Sequence, residues 1–354
     1  MAHGTCPYVG SGGHAGQGGF GLPSRAWGLL ADQIQSLEIV TADGSILNAS
    51  HTENEDLFWA ATGAAASFGI ITSFTATTHP APDSVKFSYR FANYGAEQAS
   101  KGLQAWQEFA NDPHHKLDKA VGLEININPD SKSPNGVVFS INGVYCERQP
   151  YGLCVDHDVD FMQLLMPRVT DGADEATVNA TFAPLLEKLG TPTGVSLRPQ
   201  DWIASVLDLG QATGVDQLNS TLAPDVHDTF YATSTFVPAA APMTRAASDA
   251  LFAYLYGPGA RTAVEWFVIF DLYGGGDSAV SSRGADYNAF DARDALYAIQ
   301  YYGTIPGSVS DGDGIAFVQG MKKAVESNQP ETRFKEYGEF WCTCTLCARW
   351  DDRC

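Results

Sequence analysis

GTCPYVGSGGHAGQGGFG, residues 4–21, places eight glycines, one cysteine and one histidine within eighteen residues at the start of the chain. Glycine enters positive φ without steric penalty and lets backbone N–H groups come close to a ligand. A run this rich in glycine makes the backbone itself the expected binding surface, and a cysteine inside it presents its sulfur to whatever binds. A disordered glycine-rich tail is the competing reading. The well-patterned strand region that follows directly argues against it.

Outward from that run, residues 33–40 read as a strand, Asp43-Gly44 as a hairpin turn and residues 45–48 as the returning strand. Thr52 and Glu55 have the spacing of a capping box, which predicts a helix over 55–61. Residues 68–78 are β-branched and strand-like, and Pro80 and Pro82 mark a domain boundary. Beyond it, a strand is expected at 85–91 and an amphipathic helix at 97–110. Leu123, Ile125 and Ile127 alternate with Glu124, Asn126 and Asn128, the pattern of a strand with one buried face. Asn135-Gly136 leads into a partner strand at 137–145. A helix at 181–189 is allowed if Pro184 falls in its first turn, with Gly190 as its stop. Further strands are expected at 228–237, 263–273 and 295–302, and helices at 243–255 and 314–326. Antiparallel strands with helices between them predict an α+β fold whose large sheet is covered on one face.

A length of 354 residues favours two domains. Forty-one acidic against twenty-one basic residues give a net charge of −20. Such a field repels polyanions, so neither nucleic acid nor an acidic membrane surface is an expected partner. No apolar run reaches the length of a membrane span, and no leader peptide is visible. Sequons at Asn48, Asn179 and Asn219 nevertheless fit a secreted glycoprotein. Cys146 and Cys154 are either a short-loop disulfide or two free thiols. The last fourteen residues, WCTCTLCARWDDRC, hold four of the seven cysteines. Their spacing lacks a fourth matching zinc ligand, so no metal site is expected and the segment reads as an aberrant terminus.

Residues 4–79, with FDLYGG, RDALYAIQYYG and FVQGMKKAVE downstream, resemble the berberine-bridge-enzyme-like branch of the vanillyl-alcohol-oxidase superfamily. Within that branch they are most similar to fungal glucooligosaccharide and chitooligosaccharide oxidases. The resemblance implies an FAD-dependent oxidase with part of a PCMH-type FAD-binding domain over residues 1–82. A substrate-binding α+β domain would follow over 83–322, and 323–354 would be a truncated tail. It implies that Cys6 bonds covalently to C6 of the flavin. Thr5, Gly12, Gly13, His14, Gly18, Gly19, Gly69 and Ile71 would surround the cofactor, and Asp271, Gln300 and Tyr337 would face a sugar. The implied reaction oxidises the anomeric hydroxyl of an oligosaccharide, with O2 reduced to H2O2, by a monomer.

Three departures qualify this expectation. The family's first flavin subdomain, which carries the histidine bonded to the flavin 8α methyl, precedes the G-T-C-P motif and is expected to be absent. Phe340 stands where the family's catalytic tyrosine is found, and phenylalanine has no ionisable proton. Ile269 replaces a sugar-facing glutamine. Two other readings therefore stay open on sequence: a non-catalytic fragment that keeps a sugar-binding domain, and an FAD oxidase of another alcohol, phenol or alkaloid.

Overall fold

The computed structural model describes residues 1–5, 9–114, 116–146, 174–210, 212–218 and 229–329. The glycine-rich segment holds a short helix α1 (Ser11–Gly16), which its glycine content does not announce, and a single turn α2 (Ser24–Trp27) follows it. Strands β1 (Ile34–Val40), β2 (Ile46–Ser50) and β3 (Ile70–Ala76) form a three-stranded antiparallel sheet in the order β2-β1-β3. Helix α3 (Glu55–Ala64) links β2 to β3. Its N-cap is Asn54 at φ 47°, not the expected Thr52, and the Asn54 side chain donates to the Asn48 carbonyl at 2.7 Å. Asparagine tolerates the left-handed region, which turns the chain sharply into the helix.

The second sheet has seven strands: β4 (Ser84–Phe91), β5 (Val121–Pro129), β6 (Val137–Cys146), β7 (Gly194–Gln200), β8 (Phe230–Pro238), β9 (Glu265–Leu272) and β10 (Ala295–Thr304). They lie in the order β7-β4-β6-β5-β9-β10-β8, and every pairing is antiparallel. β7 was not expected from its sequence. It carries Pro199 and pairs only with β4, and an edge strand is where proline is tolerated.

Helices α4 (Ala96–Ala110), α5 (Glu175–Leu189), α7 (Arg245–Tyr254) and α8 (Asp311–Glu326) accompany this sheet; α6 (Trp202–Leu209) follows β7. In α4 the fully buried Ala99, Leu103, Trp106 and Ala110 recur at helical spacing and face the sheet. They join Phe87, Tyr89, Leu123, Ile125, Ile141, Phe270, Tyr297 and Ile299 in one continuous core. Each such side chain contributes about 1.5–3 kcal/mol by leaving water. Helix α5 starts six residues before the predicted 181, so Pro184 falls inside it rather than in its first turn. Val178, Phe182, Leu185 and Leu189 hold the helix to the core, while Pro184 and Ala180 are exposed. The carbonyl that proline leaves unpaired is thus open to water.

The N-terminal segment lies across the other face of the large sheet. A Cβ on Gly122 would come within 2.3 Å of the Leu22 carbonyl oxygen, so only glycine lets the segment sit this close to β5. Arg25 fixes it there. Its guanidinium is fully buried and donates to the carbonyls of Gly274 (3.1 Å), Gly275 (3.0 Å), Leu117 (3.2 Å), Asp118 (2.9 Å) and Val121. A few residues on, Arg293 grips Asp32 through two hydrogen bonds of 2.8 and 2.6 Å, both side chains being almost wholly buried. Phe20 stacks on Tyr273 at 4.0 Å and shares a small apolar cluster with Leu29, Phe290 and Ala298.

Replacing Arg25 by Met removes five hydrogen bonds at once and takes this donor from the buried carbonyls of Gly274, Leu117 and Val121, so Arg25→Met should lower the unfolding free energy by at least about 3 kcal/mol in chemical denaturation. Breaking the exposed Glu97–Lys101 pair with Lys101→Met should change it by less than about 1 kcal/mol. A loss below about 1 kcal/mol for Arg25→Met would remove this residue from its structural role.

Candidate functional site

Between the N-terminal segment and the sheet is a cleft of ≈ 500 Å³. Its size suits a small-molecule ligand. One wall comes from Gly4, Thr5, Val9, His14, Phe20 and Leu22. The other is the polar face of the large sheet. Strand periodicity sends Leu123, Ile125 and Ile127 into the helix-covered core, which leaves Glu124 and Asn126 facing the cleft.

The strand register assembles that face. Ser196 on β7 pairs with Ser88 on β4, Ser88 with Asn142 on β6, Asn142 with Glu124 on β5, and Glu124 with Asp271 on β9. Two residues further along, Asn126 lies opposite Ile269, which lies opposite Gln300. One row of polar side chains therefore crosses five strands. Asp271 is buried and accepts a hydrogen bond of 2.6 Å from the Gln300 amide. Glu124 accepts one of 2.7 Å from Asn126. Ser88 donates to Asn142 at 2.7 Å.

Two carboxyls opposite each other in such a site cannot both ionise easily. Desolvation, and secondarily the charge of Glu124, push Asp271 up to about 8, while the Gln300 hydrogen bond pulls the other way. Desolvation also raises Glu124, opposed by Asn126 and by the Lys86 ammonium. The two carboxyls titrate as a pair that retains a proton at neutral pH. Across the cleft, burial lowers His14 to about 4 and keeps its ring neutral. Its Nε2 is buried and has no hydrogen-bond partner. At the end of the cleft formed by β4 and β7, Lys86 and Arg198 both pair with Asp208 of α6, Arg198 at 2.9 Å.

Thr5, His14, Asp271 and Gln300 are thus brought to one cleft. The other named glycines lie elsewhere. Gly12 and Gly13 sit on the exposed start of α1 with open space where a Cβ would be. Gly18 and Gly19 have φ of 101° and 82° and pack against Phe290, and against Leu30 and His14, respectively. Their role here is to turn the backbone around His14 rather than to line the cleft. Gly69 abuts the Val40 carbonyl, and Ile71 packs in the core of the small sheet. Cys6, Tyr337, Phe340 and Cys154 lie outside the described residues, so the expectations placed on them do too. Cys146 is buried and free among the described residues. No group of metal-binding side chains is found there, and no helix there is long and apolar enough to cross a membrane.

Sequence reasoning missed Glu124, Asn126, Ser88, Asn142, Lys86, Arg198 and Asp208. The alternation that marked β5 as a half-buried strand already contained Glu124 and Asn126. Their polar character was the available signal, but it equally describes a face turned to solvent.

No protein-family profile matches the chain. It is 29% identical over 329 residues to the chitooligosaccharide oxidase of Gibberella zeae, covering 93% of this chain and 58% of that protein. It is 30% identical to the xylooligosaccharide oxidase of Thermothelomyces thermophilus, covering 92% of this chain and 58% of that one. Among solved structures, the Acremonium strictum glucooligosaccharide oxidase with 6-S-cysteinyl, 8α-N1-histidyl FAD matches at TM-score 0.76 and 27% identity, over 94% of this chain and 63% of that one. The chain therefore spans less than two thirds of the length of these relatives.

The carboxyl pair makes stability depend on pH. An unfolded Asp titrates near 4 and folded Asp271 at about 8, so between these values the folded chain binds the extra proton. Stability should then fall as pH rises from about 4 to about 8. Thermal unfolding across that range should show the decline in the native chain and a shallower one in Asp271→Asn. Equal slopes would contradict the assignment.

Proposed function

From its homology to the berberine-bridge-enzyme-like, FAD-linked oligosaccharide oxidases of fungi, we propose that this chain forms the sugar-binding part and one wall of the flavin site of an FAD-dependent oxidase. The substrate is an oligosaccharide oxidised at its anomeric hydroxyl, and O2 is the final acceptor. The observation that carries this reading is the cleft itself. The glycine-rich N-terminal segment and the polar sheet face meet across it, with the unpartnered His14 Nε2 on one wall and Asp271 on the other.

The residues present fit the cofactor. A neutral, buried imidazole with a free nitrogen suits a polar atom of a bound ring system, and Thr5, Val9, Phe20 and Leu22 supply a partly apolar wall beside it. Cys6 would anchor it. When bound, FAD would supply the two-electron acceptor for oxidation of the sugar to its lactone, with O2 as the terminal oxidant, reduced to H2O2. The Asp271–Glu124 pair supplies the proton acceptor. With its proton affinity raised to about 8 by burial and by Glu124, Asp271 in its ionised form is a stronger base than an isolated Asp, and above that pH it can take the proton of the anomeric hydroxyl. Gln300 holds Asp271 Oδ2 by a 2.6 Å hydrogen bond and orients it. Asn126, Ser88 and Asn142 offer donors and acceptors to further hydroxyls. Ile269, buried at the cleft wall, gives an apolar patch against which a sugar ring can lie.

In this reading residues 1–82 belong to the flavin-binding unit and 83–322 to the sugar-binding unit; the break between β3 and β4 supports that division. Secretion and glycosylation are supported by Asn48 and Asn179, both exposed.

The full chain purified with FAD should keep flavin absorbance through acid precipitation and release peroxide with cello-, xylo- or chitooligosaccharides. Asp271→Asn should lower that rate about 100-fold or more. Absence of both retained flavin and peroxide would defeat the proposal. Peroxide from small alcohols alone would redirect it to another substrate class.

A further inference from the structure

The sheet face carries charge that oxidation of a neutral sugar does not require. Lys86 on β4 and Arg198 on β7 lie directly opposite each other in the register, on the same face as the polar row. Like charges directly opposite across two strands repel. Here Asp208 lies against both, and all three line the cleft. Holding α6 to the sheet through Asp208 requires only one cation. The second leaves the Lys86–Arg198–Asp208 group with a surplus positive charge, part of which reaches Glu124 on β5, inside a chain whose net charge is −20. The Lys86 side chain is 25% exposed and that of Arg198 57% exposed, so both remain open to a ligand entering from solvent.

The opposite end of the cleft has the reverse polarity. There two carboxyls, Glu124 and Asp271, lie opposite each other in the register. The strands β6 and β5 lie between β4 and β9, so at about 4.8 Å per strand the two ends are roughly 14 Å apart across the sheet. That separation suits a short oligosaccharide, with its reacting end at Asp271 and its far end at Lys86 and Arg198.

Resting on the oligosaccharide-oxidase reading, we propose that the preferred substrate is an acidic oligosaccharide that carries a uronate carboxylate away from its reacting end, bound by Lys86 and Arg198. Arg198 presents the planar fork that matches a carboxylate bidentately, and Lys86 adds a point charge. A carboxylate is drawn to these cations and repelled by the Glu124–Asp271 pair. The charge gradient therefore also sets the direction in which the chain lies, leaving the neutral reducing end at Asp271.

The test uses the full chain and calorimetric binding of a matched pair of probes: a neutral β-1,4-linked trisaccharide, and the same trisaccharide with C6 of its non-reducing residue oxidised to a carboxylate. The acidic probe should bind about ten-fold more tightly at low ionic strength, and the preference should shrink in about 1 M salt. Lys86→Met and Arg198→Gln should each shrink the ratio of acidic-probe to neutral-probe affinity. If a variant fails to fold, the wild-type preference and its salt dependence decide the matter alone. Equal binding of the two probes by the native chain would overturn the uronate assignment and leave the oligosaccharide reading standing. Binding of neither would overturn that reading itself.

Discussion

The buried Arg25 guanidinium is the constraint on which the rest of the arrangement depends. An unpaired charge is among the most expensive groups to remove from water. Arg25 is accommodated because the carbonyls of residues 117–121 and 274–275 surround it with five acceptors. Even so, desolvation lowers it to about 10, opposed by Asp277 and Asp118. These partners lie about ninety to two hundred and fifty residues away in sequence, so one side chain ties the glycine-rich segment to two distant parts of the sheet domain. The Asp32–Arg293 pair, joined by Asn288, repeats the device on the next turn of chain. Without these clamps the polar face of β4, β5, β6 and β9 would be an open sheet surface rather than one wall of a cleft.

The large sheet has two faces with different tasks. The helix-covered face is a continuous apolar core, and the pattern that builds it repeats every second residue. Leu123, Ile125 and Ile127 made that face readable from sequence alone, as did the helical spacing of Ala99, Leu103, Trp106 and Ala110. The other face was harder to interpret. Glu124 and Asn126 are what a solvent-facing strand would carry, and only the chain passing over Gly122 makes them part of an enclosed site. Strand β7 escaped notice because Arg198 and Pro199 suit an edge strand but do not signal one. Pro184 misplaced a helix start because local propensity does not register the pull of Phe182 and Leu185 on the core.

The glycine-rich motif was informative in a way that differed by residue. His14 lines the cleft, whereas Gly18 and Gly19 act on it indirectly by turning the backbone that encloses it. Asp271 and Gln300 were singled out only through their resemblance to sugar-facing residues; nothing in FDLYGG or RDALYAIQYYG by itself sets them apart from polar residues at strand ends. Their hydrogen bond, and the pairing of Asp271 with Glu124, come from a register spanning β5, β9 and β10 that no local pattern encodes. Charge shows the same limit: the net acidity was evident from composition, but the positive end of the cleft arises only where β4, β7 and α6 meet.

The central claim is that the reacting end of a sugar sits between His14 and the Asp271–Gln300 pair. A crystal structure of the chain soaked with a xylo- or cellobiose tests it most directly. The account predicts sugar density in this cleft, with a reducing-end hydroxyl within hydrogen-bond distance of Asp271. Sugar bound on another surface, or a cleft that stays closed to it, would contradict the account.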